Sequence, residues 1–217
     1  MTPSGRRART LGVGALALAA AVAAGRSVRR HYLGWGATAD ERRASLPGDD
    51  VLPRADLVAT RAVTVAASVA ATWPWIVQMG QGRGGLYSYD ALENLVGCDI
   101  HSADRVVPEW QTRAVGDDFR LHPDVALTVV ALEPPRFMVV QGGVPTGETP
   151  APYDFTWAFV LEGRPGEAAR LLVRERYAYR RPWAALVVEP VGLVSFVMSR
   201  RMLLGIKERA EGARGQA

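Results

Sequence analysis

Three histidines and one cysteine in 217 residues leave few side chains for metal or nucleophile chemistry, so the candidates are readily weighed one by one. Asp99, His101 and Asp104 in DIHSAD are the one polar cluster with the look of a site. Their spacing suits an acid/base pair or part of a metal shell, but further ligands are not evident and His122 falls in a separate loop. Asp and Ser side chains also fix turns by bonding nearby backbone amides, and that reading fits the segment better. Cys98 alone excludes an internal disulfide and a cysteine-only metal site, and it reads as a small core residue. Gly80, Gly82 and Gly85 have the spacing G-x-G-x-x-G, a nucleotide-binding signal only where a strand ends and a helix begins within a βαβ repeat. No Lys-Ser/Thr pair follows them, which excludes a P-loop. No nucleophile of the Ser/His/Asp or Cys/His kind presents itself.

Glu175 is the other candidate. Along ARLLVRERYAY, the residues Leu171, Val173, Glu175, Tyr177 and Tyr179 share one face, and along YDFTWAFVL so do Phe155, Trp157, Phe159 and Leu161. If the two faces coincide, Glu175 points inward among aromatic rings as an acid or a ligand anchor. A shift of one residue turns Arg174 and Arg176 inward instead. The competing reading is a structural carboxylate paired with a neighbouring arginine.

These residues must be positioned by a particular order of elements. ATRAVTVAA, from Ala59, alternates as a half-buried strand does. Ser68 is placed to cap a helix over Ala71–Met79, and Ser88 to cap another over YDALENLVG. Strands are expected over 125–133, 135–143, 153–163 and 169–179, with Pro and Gly turns between them, and consecutive strands without helices make an antiparallel sheet. Leu193, Phe196, Val197, Met202 and Leu203 recur at helical spacing after Pro190, so a long closing helix starts there, preceded by a weaker helical piece over Trp183–Val188. This is an α+β order. It lacks the alternating crossovers of a dinucleotide fold, so GQGRGGL reads as a turn, and by hypothesis a hinge or gate.

This order resembles the START-like (SRPBCC) superfamily, together with the runs TRAVTVAASVAATWPWIVQMGQGRGGLYSYDALENL, DIHSADRVVPEWQ, DFTWAFVL and MSRRMLLGIKERAE. Within it the chain looks like a bacterial subgroup that carries an LPGDD-like segment ahead of the domain. The resemblance implies a helix-grip fold, a curved antiparallel sheet wrapped around a long C-terminal helix. It also implies a cavity between sheet and helix for an apolar small molecule, lipid or polyketide-like. The ligand-contacting residues expected on that basis are Tyr87, Tyr89, Trp110, Phe137, Trp157, Phe159, Glu175, Tyr177 and Phe196. Tyr87 and Tyr89 are placed at the cavity mouth, with simple packing as their alternative. The superfamily holds carriers as well as cyclases and dehydrases. The leading expectation is a binding protein without catalysis or cofactor, and the alternative is a cyclase-like enzyme using Glu175 or His101.

Charge and hydropathy divide the chain. Residues 1–43 hold eight arginines against Asp40 and Glu41, whereas the rest is net −2, so the domain lacks the positive field of a nucleic-acid reader. Leu11–Ala24 is apolar throughout and preceded by Arg6, Arg7 and Arg9. It reads as a signal-peptide core, a retained anchor spanning roughly 11–28, or a surface helix. Arg26, Arg29 and Arg30 favour a tether with the domain on the cytoplasmic side. The expected organisation is a membrane segment over 1–30, a linker over 31–57 with a short helix capped by Thr38, the domain over 58–211, and a disordered tail over 212–217.

Overall fold

A computed structural model describes residues 19–143 and 151–212. Most of the apolar run from Leu11 and nearly all of the expected tail lie outside the described residues. The first described element, α1, is helical over 19–33. Among the described residues no helix is long and apolar enough to cross a membrane.

There follow α2 (Ala39–Arg43), β1 (Leu57–Val65), α3 (Val69–Val77), α4 (Asp90–Leu95), a 3-10 turn (Pro108–Trp110), β2 (Asp118–His122), β3 (Val125–Glu133), β4 (Phe137–Gly142), β5 (Tyr153–Glu162), β6 (Ala169–Tyr179) and α5 (Ala184–Gly212). The strands form one antiparallel sheet in the order β1-β6-β5-β4-β3-β2. Strand β2 is not anticipated by the sequence reading. Its five residues, DFRLH, do alternate polar and apolar, but the run is short and carries only two apolar side chains, Phe119 and Leu121. Register shifts at Arg120/His122 and Val129/Ala131 mark bulges, which bend a sheet and help it curl.

The strand parity resolves the question raised by Glu175. Trp157 pairs with Glu175 and Phe155 with Tyr177, so Glu175 and the aromatic residues share the inner face. That face packs against α3 and α5. Helix α5 is a single 29-residue element that contains Pro190, rather than one that begins there. Pro190 is exposed, so the carbonyl freed by its missing N–H lies on the wet side of the helix. The buried stripe Ala184, Val188, Ser199, Met202, Leu203, Ile206 and Ala210 holds it to the core. Gly205 lets α5 approach the Tyr87 backbone, since a Cβ there would sit 2.3 Å from the Tyr87 carbonyl oxygen.

Residues 34–56, expected as a linker, lie across the outer face of the sheet. Leu46 packs with Ala62, Val139, Ala158, Val160 and Leu172. Gly48 makes this approach possible, because a Cβ on it would fall 2.7 Å from Val139 Cγ1. Arg174, outward as the parity requires, is buried and donates to Asp49 Oδ2 (2.6 Å), Thr60 Oγ1 and the carbonyls of Glu41 and Ala44. Arg176 donates to Asp49 Oδ1 at 3.1 Å. Thr38 caps α2, with Glu41 completing a capping box.

Glu41 also accepts from Arg170 Nε at 2.7 Å and Nη2 at 2.9 Å. The Arg170 hydrogen bond, with the Thr38 amide, holds the Glu41 carboxyl down to about 2 from an ordinary 4.5. A depressed carboxyl adds stability that is fully present above its unfolded value and is lost as pH falls through the folded one. Urea midpoints of the wild type are expected to drop from pH 4.5 towards pH 2. Glu41→Gln should lower the midpoint at neutral pH and flatten that acid limb; an unchanged limb would mean the strap is held without this pair.

Candidate functional site

The inner face leaves a cavity of about 370 Å³ between β2, β5, β6, the 86–98 segment and the first two-thirds of α5. Leu86, Leu121, Phe155, Trp157 and Met202 supply much of its apolar wall, and Val187, Val188, Val191 and Met198 of α5 close it. This is a small but ordinary size for a ligand site. The aromatic wall is continuous. The Phe155 ring lies 4.7 Å from that of Tyr177 and 6.4 Å from that of Trp157, both pairs tilted.

At one end stands a buried polar knot. Glu175, 3% exposed, accepts from Arg61 Nη1 at 2.6 Å, from Ser199 Oγ at 2.8 Å and from Ser195 Oγ at 2.8 Å. Tyr177 donates more weakly at 3.4 Å, and burial, followed by the Glu175 charge, pushes its phenol well above 10, so it stays protonated. Arg61, 1% exposed, also donates from Nε to the Tyr32 carbonyl at the end of α1. The knot therefore joins α1, β1, β6 and α5. Arg61 Nη2 is buried without a partner.

The other end is formed by Ser88, Glu93 and Cys98. Glu93 is 7% exposed and accepts from the Ser88 hydroxyl through Oε1, while its Oε2 is buried without a partner. Burial raises the Glu93 carboxyl, and Asp90 adds to the shift. Burial, then Glu93, raises the Cys98 thiol as well, which works against a reactive thiolate.

The residues named from the sequence separate accordingly. Trp157, Glu175 and Tyr177 line the cavity, and Phe159 lies on the same face but packs on Phe119 and Trp157 without lining it. Tyr87 is not at the mouth. It is 1% exposed, and its hydroxyl accepts from Gln78 Nε2 at 2.8 Å. Arg209 sits over its ring, and burial lifts its phenol to about 12. Its neighbours Leu86 and Ser88 line the cavity instead, because Tyr87 adopts φ 56° and sends its side chain into the core. Tyr89 is exposed, does not line the cavity, and occupies the N-cap position of α4 without a side-chain capping bond; Ser88, expected as that cap, gives its hydroxyl to Glu93 instead. Trp110 ends the 3-10 turn, where its carbonyl accepts from Arg83. Phe137 has the opposite parity and joins the outer cluster. Phe196 faces α1, with its ring near His31, Tyr32 and Arg61.

His101 stands exposed on its loop, 3.7 Å from Asp99 and away from the cavity. Loop fixing in this region falls to Asp90, which holds the Ser102 amide and hydroxyl, and to Asn94, which holds both backbone groups of Ile100. Among the described residues no group of three His, Cys, Asp or Glu is placed to hold a metal. Gly80 and Gly85 exchange backbone hydrogen bonds at 2.9 and 3.1 Å in a closed turn, with no parallel strand before it. Gly85 packs against Ser102, where a Cβ would lie 2.8 Å from its Cα. The segment is a tight turn and has no phosphate cradle.

Arg61, Glu93, Ser195 and Ser199 were not singled out from the sequence. Arg61 carries a signal: it shares parity with Leu57, Val63 and Val65, so a charge there needs an inward partner.

Sheet and helix together make a helix-grip arrangement with an internal cavity. No protein-family model and no curated protein matches the chain. Similar solved structures include a hypothetical protein from Helicobacter pylori, at 11% identity and TM-score 0.45, covering 76% of this chain and 95% of that one. A protein from Mesorhizobium loti is 13% identical with TM-score 0.43, covering 70% and 96%. Norcoclaurine synthase from Thalictrum flavum is 16% identical with TM-score 0.42, covering 70% and 84%. At these identities and scores the likenesses carry no functional assignment.

Proposed function

We propose that this chain is a START-like binding protein that holds an apolar small molecule in the cavity between its sheet and α5, and that it performs no chemistry on it. The observation that carries this reading is the state of Glu175. A catalytic acid or base needs a free site for the substrate proton, whereas this carboxylate already accepts from Arg61, two serines and Tyr177. Glu93 does keep a free oxygen, but the titratable groups beside it are Asp90, committed to Ser102, and a Cys98 thiol raised by burial, so it has no ready partner for proton relay. No histidine lines the cavity to activate Ser195 or Ser199.

A membrane surface is the proposed source of the ligand. Besides the apolar run from Leu11, the helices that contribute to the cavity carry exposed apolar side chains, among them Leu95 at 83% and Leu186 at 79%. Exposed apolar groups of this kind mark interaction sites when they cluster. The test is native mass spectrometry of the full chain after mild extraction from membranes. It should show a retained small molecule that organic solvent removes. A chain recovered only from the soluble fraction would refute the membrane source, and one always free of ligand, even after incubation with lipid extract, would refute the binding reading.

A further inference from the structure

Two carboxylates line the cavity, and their surroundings differ. Glu175 is matched by a guanidinium and three hydroxyls, and so is complete without a ligand. Glu93 has one hydroxyl partner, a second oxygen with none, and no ion pair to Lys, Arg or His among the described residues. The charge acting on it is that of Asp90, of like sign. Asp90 is itself committed to Ser102. A buried carboxyl oxygen without a donor is costly, and an apolar hydrocarbon ligand would bury it further without relief.

We propose that the α4 end of the cavity binds the ammonium group of an amine, with Glu93 as its counter-ion and the amine's apolar body lying along Leu121, Phe155 and Trp157. An ammonium brings both what the unpartnered oxygen lacks, a hydrogen-bond donor, and what the site lacks, a positive charge; a hydroxyl brings only the first. The saturated Glu175 knot offers an ammonium no equivalent place, so the orientation follows: head towards α4, body towards the aromatic wall. This rests on the cavity being a ligand site and names the class of ligand it takes.

The test uses the purified full chain and three naphthalene probes of matched shape, bearing an aminomethyl, a hydroxymethyl and an ethyl group. Their affinities are measured by calorimetry for the wild type and Glu93→Gln. Gln keeps the shape and removes the charge, and affinity for the ethyl probe reports whether the cavity itself persists. The aminomethyl-to-ethyl affinity ratio is expected to fall about tenfold or more in Glu93→Gln, the scale of a charged hydrogen bond. The hydroxymethyl-to-ethyl ratio should change far less. An unchanged amine ratio, or an equal loss for the alcohol, overturns the ammonium site while leaving the cavity reading intact. If the wild type binds none of the three probes, the cavity reading itself fails.

Discussion

Glu175→Gln should lose about 3–5 kcal/mol of stability, because it leaves the Arg61 guanidinium buried and without its counter-charge. For a chain of this length that is a fall of roughly 10 °C in melting temperature. The cause is local and specific. Arg61 is 1% exposed, one of its terminal nitrogens already lacks a partner, and its Nη1 has Glu175 at 2.6 Å. Replacing both members, Arg61→Leu with Glu175→Leu, should restore most of the loss, since a buried pair of this kind is often matched by apolar packing. The contrast separates the two readings of this residue. If Glu175→Gln keeps full stability, Glu175 is not a structural counter-ion. If it also abolishes turnover of an identified substrate, the cyclase-like alternative prevails.

Val188→Trp should weaken binding of the ethylnaphthalene probe by more than tenfold while moving the melting temperature little. Val188 is 2% exposed on α5 and borders the cavity, so the indole has empty volume to enter. Filling a void costs less than overpacking a dense core, where each added group forces neighbours off their rotamers. The two variants therefore pull apart: one unsettles the fold through charge, the other blocks the site through volume. Retained probe affinity in Val188→Trp, at unchanged stability, would place the ligand somewhere other than this cavity. A large loss of stability would show that the cavity is smaller in solution than 370 Å³.

Much of the architecture is written in local periodicity. Four strands from Val125 onward are legible because their alternation and their Pro and Gly turns are local signals, and α5 is legible as a helix, but its buried side is not: of the five apolar residues that mark it in the sequence only Met202 and Leu203 are buried, whereas Leu193 and Val197 are exposed. The inward direction of Glu175 follows from β-strand parity once the hairpin register is known. Parity also marks Arg61, an inward charge on β1, though nothing local says that the two meet from positions 114 residues apart.

What required tertiary structure is of three kinds. The strap over 34–56 reads as loop because its Gly, Pro and Asp residues are turn formers; only the outward Arg170, Arg174 and Arg176 of β6 show what Glu41 and Asp49 are for. Tyr87 and Phe196 have the right chemistry for a pocket but not the right direction. A left-handed φ turns one into the core, and helical phase turns the other towards α1. Last, the difference between Glu175 and Glu93 is invisible in sequence, since both are glutamates near aromatic or apolar residues. Their roles are decided by which donors the fold brings within about 3 Å, and a buried carboxylate's chemistry depends on those donors far more than on its neighbours along the chain.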